Sequence, residues 1–405
     1  GRPLLLVQRD LPLKIDGIRR SIFEALAPND LVERHRWLFA EQWVSESGDD
    51  IWDDDFDYNK HEAHIDALRR SAIAEIRDGL GLDGIGRLLL SVNAWHTVGH
   101  YLSKFTPDGE RADLVATILA RLQSSNERYW IGCLQGVLQA LADEEREVIL
   151  RALVPRLDDA AALTLFKYAS FEGSTWSLLA ELRPDLQVPY WREVVPYGWR
   201  QSESELNLCV ERLLDVDRPI SAFNAMSHEF KRLHGGILAR LMKALIQPTK
   251  ELEREVQINA GAISDALEAL QASGAASVAE LAQYEYLFIN ALSHSRHGIP
   301  NLELRIEEAP ADFVQLVSLL YRRDDGGEDP PELRIPEGRD KQAIGSNVYR
   351  VLDKIERTPG TQDDGTVDSS ALLAWLVDVR ERLRLVGRAD VGDSQIGQLL
   401  GRTGP

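Results

Sequence analysis

Nine histidines are the side chains of this sequence best suited to proton or metal chemistry near neutral pH, and most of them come in pairs. His96 and His100 stand four residues apart in Trp95-His96-Thr97-Val98-Gly99-His100. On a helix that spacing sends both rings from one face, where they could share a metal ion. A zincin helix carries a glutamate beside its first histidine as general base; Thr97 stands there instead. His61 and His64 lie three apart, just after the acidic run Asp53-Asp54-Asp55-Phe56-Asp57. Carboxylates followed by imidazoles suit a divalent cation, and Asp53, Asp57, His61, His64, His96 and His100 together make a metal-dependent hydrolase site one possible outcome. Catalytic zinc needs three such ligands to converge with a fourth position left open. An EF-hand is excluded, because counting from Asp53 puts Tyr58 where glycine is required and His64 where the last acidic ligand belongs. The alternative is an acidic loop capping a helix, with the histidines as ordinary half-exposed neighbours. His294 and His297 form a further pair near Pro300.

Other motifs resolve mostly into structure. Gly79-Leu80-Gly81-Leu82-Asp83-Gly84 matches the dinucleotide fingerprint in form. That fingerprint works only between a strand and a helix, where the pyrophosphate meets a helix N-terminus. Ile73, Ile76 and Leu80 make the preceding segment helical, so these glycines are expected to form a C-cap and tight turn between two helices. No lysine follows a glycine anywhere, so there is no P-loop, and no G-x-S-x-G elbow occurs. Arg380, Arg382, Arg384 and Arg388 alternate with Asp378, Glu381 and Asp390, a pattern that favours a solvated helix face with internal ion pairs over a phosphate patch. Tyr190, Trp191, Tyr197 and Trp199 are aromatics of the kind that anchor protein interfaces, or else that fill gaps between helices.

The elements that must position these residues are helical almost throughout. Leu372, Trp375, Leu376, Val379, Leu383 and Val386 recur at steps of three and four, as do Ile237, Leu238, Leu241 and Leu245. Asn29-Asp30, Asp143 and Asp158-Asp159 offer acceptors at helix starts. Breakers at 107–109, 124–126, 183–185, 217–219 and 247–249 divide the stripes, and 324–336 and 358–366 form longer polar loops. The fold class expected is all-α, an irregular α-solenoid of antiparallel helix pairs with little or no sheet; a pair of compact helical bundles is the competing arrangement. Two segments, 1–182 and 183–405, are expected to be continuous, with a junction in the Pro- and aromatic-rich stretch 184–199.

Composition narrows the function classes. With 46 Lys+Arg against 65 Asp+Glu the formal charge is −19, which repels nucleic acid and anionic lipid at long range and favours basic or amphipathic protein partners. The two cysteines, Cys133 and Cys209, are too few for a disulfide framework and suggest a reducing, cytoplasmic setting. No apolar run reaches the length of a membrane span, and 4–7 is too short for a signal segment. No cofactor is indicated. The first residue is Gly1 and the last five have no cap, so the chain is expected to be part of a longer protein.

A family likeness rests on Thr175-Trp176, Tyr190-Trp191 with Pro196, Leu281 with Tyr284-Glu285-Tyr286, and Phe313-Val314-Gln315-Leu316 with Tyr321-Arg322. Pro359-Gly360 with Asp364-Gly365, Asp393 with Ile396-Gly397, and earlier Gly84-Ile85-Gly86-Arg87-Leu88 with Val98-Gly99 extend it. Through these residues the chain resembles the C-terminal helical-repeat region of large bacterial multidomain proteins built around a STAND-type or NACHT-type NTPase and associated with phage defence. The resemblance implies a sensor or scaffold region whose effector module lies elsewhere, with no catalytic residue to carry over.

Overall fold

The computed structural model of the chain describes residues 28–44, 57–125, 128–198, 201–247, 249, 251, 257–292, 295–321, 327, 341–362 and 364–403. Among these residues the fold is all-α, and the single extended pairing is an isolated antiparallel bridge between Thr361 and Val367. The chain divides into two compact units, 1–193 and 194–405, and the division falls inside the 184–199 stretch. No helix of the described residues is long and apolar enough to cross a membrane.

In the first unit α1 (Leu31–His35) precedes the long α2 (Tyr58–Ser91), followed by α3 (Trp95–Phe105), α4 (Arg111–Ser125), α5 (Arg128–Ala140), α6 (Asp143–Leu153), α7 (Asp159–Tyr168), α8 (Gly173–Leu182) and α9 (Gln187–Glu193). Asp30, Asp57 and Asp158 cap their helices through side-chain oxygens, whereas α6 starts after Ala142 with Asp143 already inside its first turn. The helices pack against next-but-one neighbours: α3 on α5, α5 on α7 and α7 on α9 in one row, α4 on α6 and α6 on α8 in the other. Ion pairs run along these rows. Arg111 of α4 meets Glu145 of α6 at 2.7 Å, Arg146 of α6 meets Glu172 at the head of α8 at 2.8 Å, and Lys167 of α7 meets Glu193 of α9 at 2.7 Å. The exposed kind of pair contributes about 0–1 kcal/mol, whereas the Arg146 side chain is buried. The main effect of these pairs is to set register, while stability comes from the buried apolar stripes between the rows.

Two glycine positions control this unit. Within α2 the helix breaks at Gly81, whose φ of 63° and ψ of −159° belong to a region open essentially to glycine alone. The fingerprint-like glycines thus make the turn between two helical stretches that their sequence predicts. Farther on, α3 and α5 cross at backbone contact. A Cβ added to Gly99 would lie 2.0 Å from the Cys133 carbonyl oxygen, and one added to Gly136 would lie 2.0 Å from the His96 carbonyl oxygen.

The second unit comprises α10 (Glu203–Asp215), α11 (Pro219–Ala225), α12 (Gly235–Leu245), α13 (Ile263–Ser273), α14 (Val278–Leu287), α15 (Ile289–Leu292), α16 (Pro300–Glu308), α17 (Pro310–Leu320), α18 (Lys341–Lys354), α19 (Ser369–Leu385) and α20 (Ala389–Thr403). Ser202 with Glu205 and Ser277 with Glu280 form complete capping boxes at α10 and α14. Phe313, Val317, Val348, Val351, Trp375 and Val379 bring α17, α18 and α19 into one apolar cluster, with the Trp375 indole donating to the Ile306 carbonyl at 2.9 Å. Glu285, fully buried, accepts from the Asn301 backbone N–H at 3.2 Å, the Asn301 side-chain amide at 2.7 Å, the Leu302 N–H at 2.7 Å and His297 at 3.2 Å, so it closes the start of α16. The loop expected over 358–366 is present as a turn, and 324–336 lies almost wholly outside the described residues.

Gly136→Ala is expected to destabilise the first unit by about 3 kcal/mol or more, because the added methyl can be accommodated only by parting two helices. Gly109→Ala, where a Cβ meets nothing within 4 Å, is the control and should stay within about 0.5 kcal/mol of the parent chain. Urea unfolding of the full chain followed by far-UV circular dichroism measures both.

Candidate functional site

The residues singled out for chemistry meet in part. A cleft of about 350 Å³ opens between the first turns of α2, the N-terminal half of α3 and the segment 42–44. Tyr58, His61, Glu62, Ile65, Asp66 and Arg69 line it from α2, and His96, Thr97, His100 and Tyr101 line it from α3. The helical steps explain the grouping: 58, 62 and 66 recur at four residues, as do 96 and 100, and each set shares a face.

Segment 42–44 has no secondary structure of its own to hold it against the helices. Arg69 does so. Its guanidinium, nine-tenths buried, donates to the carbonyls of Leu38 at 2.9 Å, Gln42 at 2.9 Å and Glu41 at 3.4 Å, and lies 5.9 Å from the Phe39 ring centre and 6.0 Å from that of Tyr101. His61 adds a bond from Nε2 to the Val44 carbonyl at 3.0 Å. Trp43 is thereby placed between two rings, stacked on Tyr58 at 5.3 Å and 18° and tilted against His61 at 5.3 Å and 34°. Trp43 and Tyr58 are nonetheless 41% and 53% exposed.

The electrostatics are mixed. Burial raises the Asp66 pKa, but hydrogen bonds from Tyr101 at 2.9 Å and an ion pair with Arg70 at 2.7 Å outweigh that and hold the carboxyl below its ordinary value. Burial, helped by the Lys104 charge, pulls His100 below its ordinary value, so it is neutral at pH 7; its ring meets Tyr101 edge-on at 5.2 Å. His96 directs Nε2 to the Gln139 side chain at 2.8 Å.

The metal set weighed as an alternative is not assembled among the described residues. Among the described residues no group of three or more His, Cys, Asp or Glu is placed to hold an ion. Asp57 is a helix cap, accepting from the Lys60 N–H at 3.1 Å and pairing with the Lys60 ammonium at 3.0 Å. His64 is exposed and outside the cleft lining, Asp53 and His294 lie outside the described residues, and His61 and His96 each turn a ring nitrogen to a protein partner. The thiols are equally unavailable: burial pushes both Cys133 and Cys209 up to about 12.

The aromatic patch is corrected more sharply. Tyr190 and Trp191 are buried, not displayed. They pack with Phe171 and Trp176 at ring separations of 4.9–5.9 Å, and the Trp176 indole donates to the Tyr190 hydroxyl at 3.2 Å. Their positions on the two-turn α9 pack both rings against α8 and the Phe171 side chain before it, inside that unit's core. Tyr197 is 43% exposed, and Trp199 lies outside the described residues. In the arginine cluster, Arg380, Arg382 and Arg384 pair with Asp393, Asp378 and Glu381 as a solvated face should, but Arg388 is fully buried. It donates to the carbonyls of Ser318, Tyr321 and Val386.

Trp43, Tyr58, Glu62 and Arg69 were not singled out by sequence pattern. The signal in the sequence is weak: Trp43 and Tyr58 stand on either side of the acidic run 53–57, with Trp43 ten residues ahead of it.

His100 gives the cleft a pH signature. Its folded value lies below the unfolded value near 6.5, so the unfolded chain binds more protons in that window and stability falls as pH drops below about 6.5. His100→Gln should flatten the change in urea midpoint between about pH 7.5 and 5.5; an unaltered slope would show that His100 is not its source.

Compared with known proteins, the chain matches no protein-family model and no curated protein.

Proposed function

We propose that the chain is a non-catalytic recognition and scaffold module that binds basic or amphipathic protein partners. The observation that carries this role is the next-but-one packing of the first unit, in which α3, α5, α7 and α9 form one row and α4, α6 and α8 the other. Rows built this way add surface with every helix instead of enlarging one central core, the logic of a solenoid. The net charge of −19 supplies long-range attraction for cationic partners and repulsion for nucleic acid and anionic lipid. The resemblance of 174–405 to the helical-repeat regions of STAND-type or NACHT-type proteins extends the proposal to a sensor region of a larger bacterial protein working in the cytoplasm.

Interferometry on the full chain, with immobilised basic amphipathic helical peptides and their acidic counterparts, tests this. Association with the basic set should be faster by about tenfold or more at about 50 mM salt, and the advantage should shrink at about 300 mM as screening shortens the field. Equal rates for both sets, or turnover of a small substrate without any peptide association, would overturn the proposal.

A further inference from the structure

We infer that the cleft between α2, α3 and segment 42–44 is a seat for an arginine side chain presented by a basic partner. This inference deepens the recognition role proposed above and rests on it. The first ground is shape. Trp43 and Tyr58 stack as a two-ring wall, the residues 41% and 53% exposed, and a cleft of about 350 Å³ lies beside them. That volume is at the small end of ligand sites and suits one long side chain better than a cofactor.

The second ground is charge. Glu62 and Asp66 follow Tyr58 on the same face of α2, one turn apart, so carboxylates line the cleft next to the ring wall. The cations nearby are already engaged. Arg69 is held by three backbone carbonyls, Arg70 pairs with Asp66 at 2.7 Å, and His100 is neutral at pH 7. Glu62 is exposed in the cleft lining, which puts its carboxylate within reach of an incoming cation. Arg70 on Asp66 already displays the guanidinium–carboxylate geometry that a guest would repeat one turn earlier.

Arginine is favoured over lysine by the combination. A guanidinium is planar, stacks on aromatic faces and forks onto a carboxylate, whereas an ammonium is a strongly hydrated point charge that does only part of this. A neutral aromatic guest would use the ring wall but leave Glu62 unpaired.

The test is calorimetry on the full chain with a short Gly/Ser peptide carrying one central arginine, compared with the same peptide carrying lysine or citrulline. Arginine should bind about fivefold tighter than lysine and about tenfold tighter than citrulline at about 50 mM salt. Glu62→Gln and Trp43→Leu should each weaken arginine binding by about threefold to tenfold. Glu144→Gln, an exposed change outside the cleft lining, should leave it unchanged. Glu62 is exposed, so its variant reports on the cleft even if Trp43→Leu disturbs folding. Citrulline binding as well as arginine, or Glu62→Gln without effect, overturns the inference. A basic peptide that binds parent and Glu62→Gln chains equally removes the cleft and leaves the recognition role intact. Arginine-peptide binding without the charge-selective association described above removes the recognition role instead.

Discussion

Short helices in series leave many backbone groups without intrahelical partners, since each helix ends with free carbonyls and begins with free N–H groups. In this chain buried and half-buried charged side chains from neighbouring elements satisfy them, and both units depend on that solution. Arg69 takes the carbonyls around Gln42, Arg111 takes those of Ser103 and Thr106 at the end of α3, Arg218 takes Val194, and Arg388 takes Ser318 and Tyr321 after α17. Carboxylates do the reciprocal work at helix starts. Glu251 accepts from Ile220 and Ser221 at the head of α11, and Glu285 from Asn301 and Leu302 at the head of α16. A charge buried this way is tolerable because it is fully hydrogen-bonded, and removing it leaves several orphaned groups at once.

The cleft inherits its geometry from the same device together with the glycine crossing. Backbone contact between Gly99 and Cys133, and between Gly136 and His96, fixes α3 against α5 with almost no freedom to slide. That sets where His96, His100 and Tyr101 stand. Arg69 then brings segment 42–44 to them, and Trp43 arrives as the wall. The site is therefore assembled from three stretches separated by tens of residues, each positioned by contacts made away from the cleft.

Much of the local structure was legible in the sequence. The stripe through Trp375, Val379 and Leu383, the caps at Asp30 and Asp158, the breakers before Pro184 and Pro219, and the turn at Gly81 all depend on neighbours within a few residues, where periodicity and capping chemistry act. Only part of the candidate site was legible. The histidine pairs drew attention to α2 and α3, and His61, His96 and His100 do line one cleft. But spacing along a helix says which side chains share a face and not what that face meets, so a metal set could be written down whose described members are not gathered around one ion. Tyr190, Trp191 and Arg388 teach the same point. Their types are compatible with display at a surface or with burial, and the choice is made by helices far away in sequence.

What the sequence by itself determined is the all-α class, several helix starts and breaks and the acidic charge, because these follow from composition and from interactions within a turn or two. Only the tertiary structure decided which rows the helices form, that α3 and α5 touch through their backbones, and that Trp43 joins the Tyr58, Glu62 and Asp66 face of α2 in one cleft. Those outcomes turn on contacts between residues distant along the chain, which are set by the filling of volume and the pairing of buried polar groups across the whole unit. No local pattern encodes them one residue at a time.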